Sequence, residues 1–121
     1  MVGPDRKKLL IGVVGPCGSG KSTLIAGLKG VGYLARHIAQ EHSYVPSMWK
    51  RITNPDLLVY LNASFETCSK RRNLNWTIED YAEQLRRLAH AYDNADLLID
   101  TDSLSPEEVL TRLLKFLELK G

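Results

Sequence analysis

Residues 15 to 22 read Gly-Pro-Cys-Gly-Ser-Gly-Lys-Ser and match the phosphate-binding pattern G-x-x-x-x-G-K-[ST] at every fixed position. In such a loop, backbone N–H groups at a helix N-terminus bind phosphate oxygens, and the positive end of the helix dipole favours the negative charge. Lys21 can reach the β- and γ-phosphates of a triphosphate, and the hydroxyl of Ser22 can bind Mg²⁺. The segment therefore predicts binding of a nucleoside triphosphate with its magnesium ion.

The predicted phosphate contacts extend one residue into the helix. They comprise Gly15, Pro16, Cys17, Gly18, Ser19, Gly20, Lys21, Ser22 and Thr23. The glycines allow the backbone to curl around phosphates without Cβ clashes. A glycine-rich turn without a ligand is the alternative, but such a turn does not require lysine and serine at the last two positions of the pattern. We expect the thiol of Cys17 to be incidental to phosphate binding.

The elements around this loop follow from hydropathy patterns along the chain. Apolar runs predict strands at 9–14, 33–39, 57–61 and 95–100, and capping residues with helical periodicity predict helices at 23–28, 64–72, 77–92 and 105–117. Strands that alternate with helices indicate an α/β fold whose parallel sheet is covered on both faces. The expected strand order is second, first, third, fourth, which places the glycine loop where the order switches direction and where such sheets bind ligands.

Size and composition narrow the possible partners. The 121 residues, 44% of them apolar, are enough for a single domain over residues 1–121. Because the net charge is only +2, no nucleic-acid partner is expected. The two cysteines, at 17 and 68, provide neither a disulfide framework nor metal-ligand spacing. Because neither a signal peptide nor an 18-residue apolar span is found, no membrane partner and a cytoplasmic location are expected. The oligomeric state stays open.

Two further stretches, together with the loop, carry a family resemblance. The first runs from the strand at 57–61 to the paired arginines 71 and 72, and the second is Ala-Asp-Leu-Leu-Ile-Asp-Thr-Asp at 95–102, followed by Ser-Pro-Glu-Glu-Val at 105–109. The chain resembles P-loop small-molecule kinases of the nucleoside monophosphate kinase and shikimate kinase type, in a shortened form. The resemblance implies a three-layer P-loop NTPase fold with a reduced parallel sheet of about four strands flanked by helices.

The resemblance also implies ATP and Mg²⁺ as cofactors, with transfer of the γ-phosphoryl group to a small-molecule acceptor. In such kinases, arginines contact the phosphates and the loop after the last strand borders the adenine. These roles would fall to Arg71 and Arg72 and to the segment 101–105. Arginine suits the first role because its planar guanidinium pairs with two phosphate oxygens. The alternative is that both arginines only stabilise a helix C-terminus, where cations are favourable anyway.

Glu41 is the candidate acid of the site. If the second strand lies beside the first, Glu41 emerges near Ser22, where its carboxylate could bind the hydrated Mg²⁺ or orient the nucleophile. The alternative is a solvated loop residue. The predicted catalytic residues are therefore Lys21 and Glu41, and the predicted metal ligands are Ser22 and Glu41.

Three functions remain open. The first is an ATP-dependent kinase for a small metabolite. The second is a nucleotide-binding switch or accessory protein with little or no transfer activity, because the expected sheet is shortened and no large acceptor-binding insert is present. The strand at 57–61 also departs from such kinases, since it ends in Asn62 where they have an aspartate. The third is a slow ATPase completed by a second subunit. Motifs of GTPases, Asn-Lys-x-Asp and Asp-x-x-Gly, are absent from the sequence. The acceptor and the preference for ATP over GTP stay undetermined.

Overall fold

The chain folds into alternating strands and helices, as the hydropathy patterns predict. A computed structural model describes residues 9 to 120. The elements are β1 (Leu10–Val14), α1 (Lys21–Gly30), β2 (Leu34–His37), β3 (Leu57–Asn62), α2 (Phe65–Arg72), α3 (Ile78–Asn94), β4 (Leu97–Asp100) and α4 (Pro106–Lys120). A 3₁₀ turn at Gln40–His42 and a π-helical turn at Trp49–Thr53 lie between β2 and β3.

The four strands form one parallel sheet in the order β2-β1-β3-β4, which confirms the expected order. Strand β1 pairs with β2 through Leu10 and Leu34, and with β3 through Ile11 and Leu57. The two central strands are almost wholly buried, as expected for apolar runs in a parallel sheet with both faces covered. The structure is thus an α/β fold with a four-stranded parallel sheet flanked by helices.

Two apolar cores cover the two faces of the sheet. Alternate strand residues such as Val13 and Val59 pack with α1 and α4 on one face. Leu58 and Tyr60 point to the other face and pack against Leu88 of α3. This alternation follows from the two-residue period of a strand.

The buried stripe of α3 is narrower than its apolar pattern predicts. The sequence places Ile78, Tyr81, Leu85, Leu88, Ala89 and Tyr92 on one face, yet the buried residues are Gln84, Leu88 and Ala91. Ile78 and Tyr92 are 58% and 48% exposed. The prediction was therefore only partly right, because the sheet covers one edge of the apolar face and not its whole width.

Side-chain caps begin three of the helices where the sequence predicts them. Ser64 accepts a hydrogen bond from the backbone N–H of Thr67, and Thr77 forms a reciprocal capping box with Asp80. Ser105 and Glu108 make the equivalent pair at α4, with distances of 2.9 and 3.1 Å. Within residues 9–120, no helix combines the length and the apolar character needed to cross a bilayer.

Candidate phosphate-binding site

The loop between β1 and α1 needs glycine for two different reasons. Gly18 has φ +88°, and a Cβ at this position would lie 2.5 Å from the backbone oxygen of Cys68 on α2. Gly20, the N-cap of α1, has φ +104° but would bring a Cβ into open space. No side chain caps α1, so the N–H groups of its first turn have no capping acceptor. The loop packs closely on α2 while its inner surface stays open for a ligand.

Lys21 turns back over the loop and is nearly fully buried. Its Nζ donates hydrogen bonds to the backbone oxygens of Gly15, at 2.6 Å, and Pro16, at 3.1 Å. The same nitrogen lies 2.9 Å from Oε2 of Glu41, and the two side chains are only 6% and 3% exposed. Three acceptors thus match the three protons of the ammonium group.

The chain path explains why Glu41 reaches the loop. Strand β2 lies parallel to β1, so the turn that follows β2 emerges at the same edge of the sheet as the glycine loop. Gln40, fully buried, anchors that turn: its amide donates to the backbone oxygens of Val45 and Arg87 and accepts from the N–H of Trp49. Sequence reasoning missed Gln40, because the short mixed-polarity run before it carries no periodic signal.

One carboxylate oxygen of Glu41 has no partner. Within the described part of the chain, Oε1 of Glu41 is buried and makes no hydrogen bond. Buried polar atoms are almost always satisfied in folded proteins. The open lone pair of this buried carboxylate is therefore available to a ligand or ion.

These residues border a cavity of about 560 Å³. Four segments line it: the glycine loop with the start of α1, the end of β2 and its turn, the end of α2, and the stretch after β4. The lining residues are Cys17, Gly18, Ser19, Gly20, Lys21, Ser22, Thr23, Leu24, His37, Glu41, His42, Arg71, Arg72, Thr101, Leu104, Pro106 and Val109. The volume falls within the range of about 300–1,000 Å³ that is common for ligand pockets.

Most of the predicted site residues meet in this cavity. Seven of the nine predicted loop contacts line it, as do Glu41 and both arginines. Gly15 and Pro16 do not line it; they lie beneath, where their carbonyls accept from Lys21. Glu41 is a buried partner of Lys21 and not a solvated loop residue.

The two arginines at the end of α2 have different surroundings. Arg71 donates to the backbone oxygen of Ser19, at 3.3 Å, and to both oxygens of Thr101, at 2.9 and 2.6 Å. It therefore ties the glycine loop to the end of β4. The side chain of Arg72 makes no hydrogen bond or ion pair within residues 9–120 and lines the cavity. Of these two arginines, Arg72 is the one whose guanidinium no group of the described residues occupies.

Gln84 is a second residue that sequence reasoning missed. Its side-chain oxygen accepts from the backbone N–H of Cys17 at 3.0 Å, and its amide donates to the Cys17 sulfur at 3.3 Å. Gln84, which lies on α3, thus holds Cys17 of the glycine loop in place. A signal existed, since Gln84 is a polar residue four positions before Leu88 on the buried stripe.

Titratable groups near the cavity respond to burial and to charge. Partial desolvation of the exposed His37 lowers its pKa, and the positive charge of Lys21 lowers this pKa further. Burial raises the pKa of the Cys68 thiol to about 11, so this cysteine stays protonated and unreactive at neutral pH. The backbone N–H of Ser64 holds the pKa of Asp102 below its usual value, because it donates to the carboxylate.

The comparisons with known proteins add no family to this picture. The chain matches no protein-family model, and no curated protein matches it either. The cavity offers the uncapped N-terminus of α1, the cations Lys21, Arg71 and Arg72, and one buried carboxylate. Such a set suits a polyanion that brings a divalent cation with it.

Proposed function

We propose that the chain is an ATP-binding P-loop protein of the three-layer NTPase fold, and that it transfers the γ-phosphoryl group of ATP to a small metabolite. One observation carries the proposal. The uncapped N-terminus of α1, the ammonium of Lys21 and a buried carboxylate with an unpartnered oxygen meet in a single cavity.

Phosphate binding follows from the first two features. The N–H groups at the start of α1 and the helix dipole attract negative charge, and the open backbone at Gly20 leaves room for phosphate oxygens. Lys21 reaches a phosphate by exchanging one of its three present acceptors, Gly15, Pro16 or Glu41, for a phosphate oxygen. Because Glu41 lies beside Lys21, the same ammonium can bridge the carboxylate and the nucleotide.

The residues present fit a magnesium ion. Mg²⁺ prefers oxygen ligands, keeps several waters and binds through few carboxylates together with substrate phosphates. Ser22 offers a hydroxyl at the cavity wall, and Glu41 offers the oxygen that lacks a partner. When bound, the ion would neutralise charge on the phosphates. Ser22 and Glu41 are the proposed ligands.

Catalysis would rest on positioning and electrostatics, since phosphoryl transfer needs little covalent chemistry from the protein. Lys21 would stabilise the charge on the transferring group, and Arg72 would pair with phosphate oxygens. Glu41 would bind the hydrated ion or orient the acceptor hydroxyl. Arg71 would hold the loop in shape through Ser19 and Thr101. The apolar part of the wall, formed by Leu104, Pro106 and Val109, is the proposed contact for adenine.

The first test is nucleotide binding. Calorimetry with Mg-ATP on wild-type protein should detect saturable binding, and Lys21→Met should abolish it. Lys29→Met is the matched control, because Lys29 is an exposed lysine of the same helix outside this cavity. Circular dichroism verifies that each variant is folded. Failure of the wild type to bind any nucleoside triphosphate would overturn the proposal.

The second test is transfer. Labelled ATP is incubated with the protein and pooled metabolites, and a labelled product other than inorganic phosphate is sought. A labelled metabolite that disappears in the Lys21→Met variant supports the kinase. Binding without any labelled metabolite would replace the kinase by a nucleotide-dependent switch or accessory protein. Hydrolysis whose specific rate rises with protein concentration would indicate an ATPase completed by a second subunit.

A further inference from the structure

Three side chains of different chemistry meet at the edge of the cavity. The Cys17 sulfur lies 3.5 Å from Nε2 of His42 and 3.9 Å from Oε2 of Glu41. The same two atoms of His42 and Glu41 are 3.8 Å apart. Cysteine comes from the glycine loop and the other two come from the turn after β2, so only the parallel pairing of β1 with β2 brings them together.

These distances are close to those of a tetrahedral zinc site. The bond lengths of zinc to sulfur, nitrogen and oxygen place neighbouring ligand atoms about 3.3–3.6 Å apart. The distance of 3.5 Å between Cys17 and His42 lies within this range, and the other two exceed it by about 0.2–0.3 Å, which small side-chain rotations can close. Three protein ligands leave the fourth position for water or another ligand.

A second observation shows that protein groups do not saturate the carboxylate of Glu41. Oε1 of Glu41 is buried and has no hydrogen-bond partner within the described residues, although Oε2 is paired with Lys21. The ligand distances above are those of Oε2, so a metal ion at the cluster would bind this oxygen and share it with the ammonium group of Lys21. Oε1 would remain available to a second ligand or ion.

The ligand set identifies the class of metal. Magnesium binds hard oxygen ligands, whereas a thiolate with an imidazole favours zinc and other thiophilic ions. The Cys17 thiol releases its proton to solvent when it binds the metal, and the thiolate then adds a second negative charge to the carboxylate that already pairs with Lys21. The ring of His42, 59% exposed, leaves the site open to entry from solvent. Gln84 orients the sulfur by donating to it, as outer partners of metal ligands do.

We propose that Cys17, Glu41 and His42 form a binding site for Zn²⁺ beside the phosphate loop. Nucleotide supplies no ligand to this site, which shares Glu41 with the magnesium position proposed at Ser22 and Glu41 but uses the other carboxylate oxygen. It gives a direct role to the loop cysteine, whose thiol phosphate binding does not use.

The test uses cobalt as a spectroscopic probe for zinc. The full chain, reduced with a phosphine, is titrated with Co²⁺ in the absence of nucleotide and Mg²⁺. Wild-type protein should develop a sulfur-to-cobalt charge-transfer band in the near ultraviolet together with tetrahedral d–d bands. Added Zn²⁺ should bleach both, and competition with a chromogenic chelator then measures the zinc affinity.

Two variants test individual ligands, and a third is the control. Cys17→Ser should lose the charge-transfer band, and His42→Ala should weaken zinc binding by about tenfold or more. Cys68→Ala should behave as wild type, because Cys68 is buried outside the cluster. His42 lies on the surface, so His42→Ala tests the site even if Cys17→Ser does not fold.

The results separate this proposal from the proposed function. Absence of the band in wild type, or its persistence in Cys17→Ser, would overturn the zinc site. Because nucleotide is absent from the titration, a chain that binds Mg-ATP but gives no cobalt–sulfur band loses only the zinc site. A chain that gives the band but binds no nucleotide keeps the zinc site and loses the proposed function.

Discussion

The ammonium of Lys21 and the carboxylate of Glu41 form a buried ion pair at 2.9 Å. It joins the first residue of α1 to the turn after β2, two segments that adjoin because β1 and β2 pair in parallel. Such a pair costs desolvation of both charges, so removing one partner leaves an uncompensated buried charge. The pair therefore links the stability of the fold to the residue that is proposed to bind phosphate.

Lys21→Met should destabilise the fold by about 3–5 kcal/mol, because it leaves the carboxylate of Glu41 buried without its cation. The double variant Lys21→Met with Glu41→Gln should recover most of that loss, since no buried charge remains. Urea denaturation at pH 7 measures both. Two losses that simply add in the double variant would show that the pair is not coupled.

Glu41→Gln should leave Mg-ATP binding largely intact and lower phosphoryl transfer by about 10²-fold or more, as expected for a group that acts on the magnesium ion or the acceptor hydroxyl. Calorimetry and a transfer assay measure the two effects separately. Glu79→Gln is the control, because Glu79 is an exposed glutamate in the first turn of α3. Unchanged transfer in Glu41→Gln would remove Glu41 from the catalytic site.

Arg72→Ala should weaken Mg-ATP binding without changing the free energy of unfolding, because Arg72 lines the cavity and binds no protein group of the described chain. Arg71→Ala should instead lower the free energy of unfolding by about 1.5–3 kcal/mol, through loss of its hydrogen bonds to Ser19 and Thr101. Lys70→Ala, at the exposed neighbouring position, is the charge control. Equal effects of Arg71→Ala and Arg72→Ala on binding and on stability would contradict the distinction between them.

Gly18→Ala should destabilise the protein and abolish nucleotide binding, because residue 18 has φ +88° and a Cβ there would collide with the backbone of Cys68. Gly30→Ala is the matched control at the end of α1, where a Cβ meets no atom within 4 Å. It should change stability by about 1 kcal/mol or less, in the favourable direction. Thermal melting and calorimetry measure the two variants. A Gly18→Ala protein that melts and binds nucleotide as wild type does would contradict the close packing of the loop on α2.

The protein should lose stability as the pH falls below the ordinary His pKa of 6.5. Partial desolvation and the charge of Lys21 lower the pKa of the exposed His37 in the folded state, so the unfolded chain takes up a proton more readily at this residue. The contribution of His37 to the free energy of unfolding is therefore fully present above pH 6.5 and decreases below this pH. His37→Gln should flatten the pH dependence between pH 7 and pH 5 in urea denaturation; an unchanged slope would contradict the assignment to His37. The charge of Glu41 raises the pKa of His37, whereas that of His42 lowers it.

Local patterns were enough to predict the architecture and the loop. The eight residues 15–22, the apolar runs of the strands and the caps at Ser64, Thr77 and Ser105 depend on neighbours within a few positions, so they can be recognised without tertiary contacts. The strand order also followed, because right-handed crossovers and the alternation of strands with helices leave few arrangements.

Only the tertiary structure decided which residues far apart in the chain contact one another. Sequence alone placed Glu41 near the loop but left open whether it is solvated; the structure buries it against Lys21. It also separates Arg71, held by Ser19 and Thr101, from Arg72, and it seats Gln84 on Cys17. Such contacts depend on how strands and helices pack, and side chains with the same local pattern can therefore end with different partners.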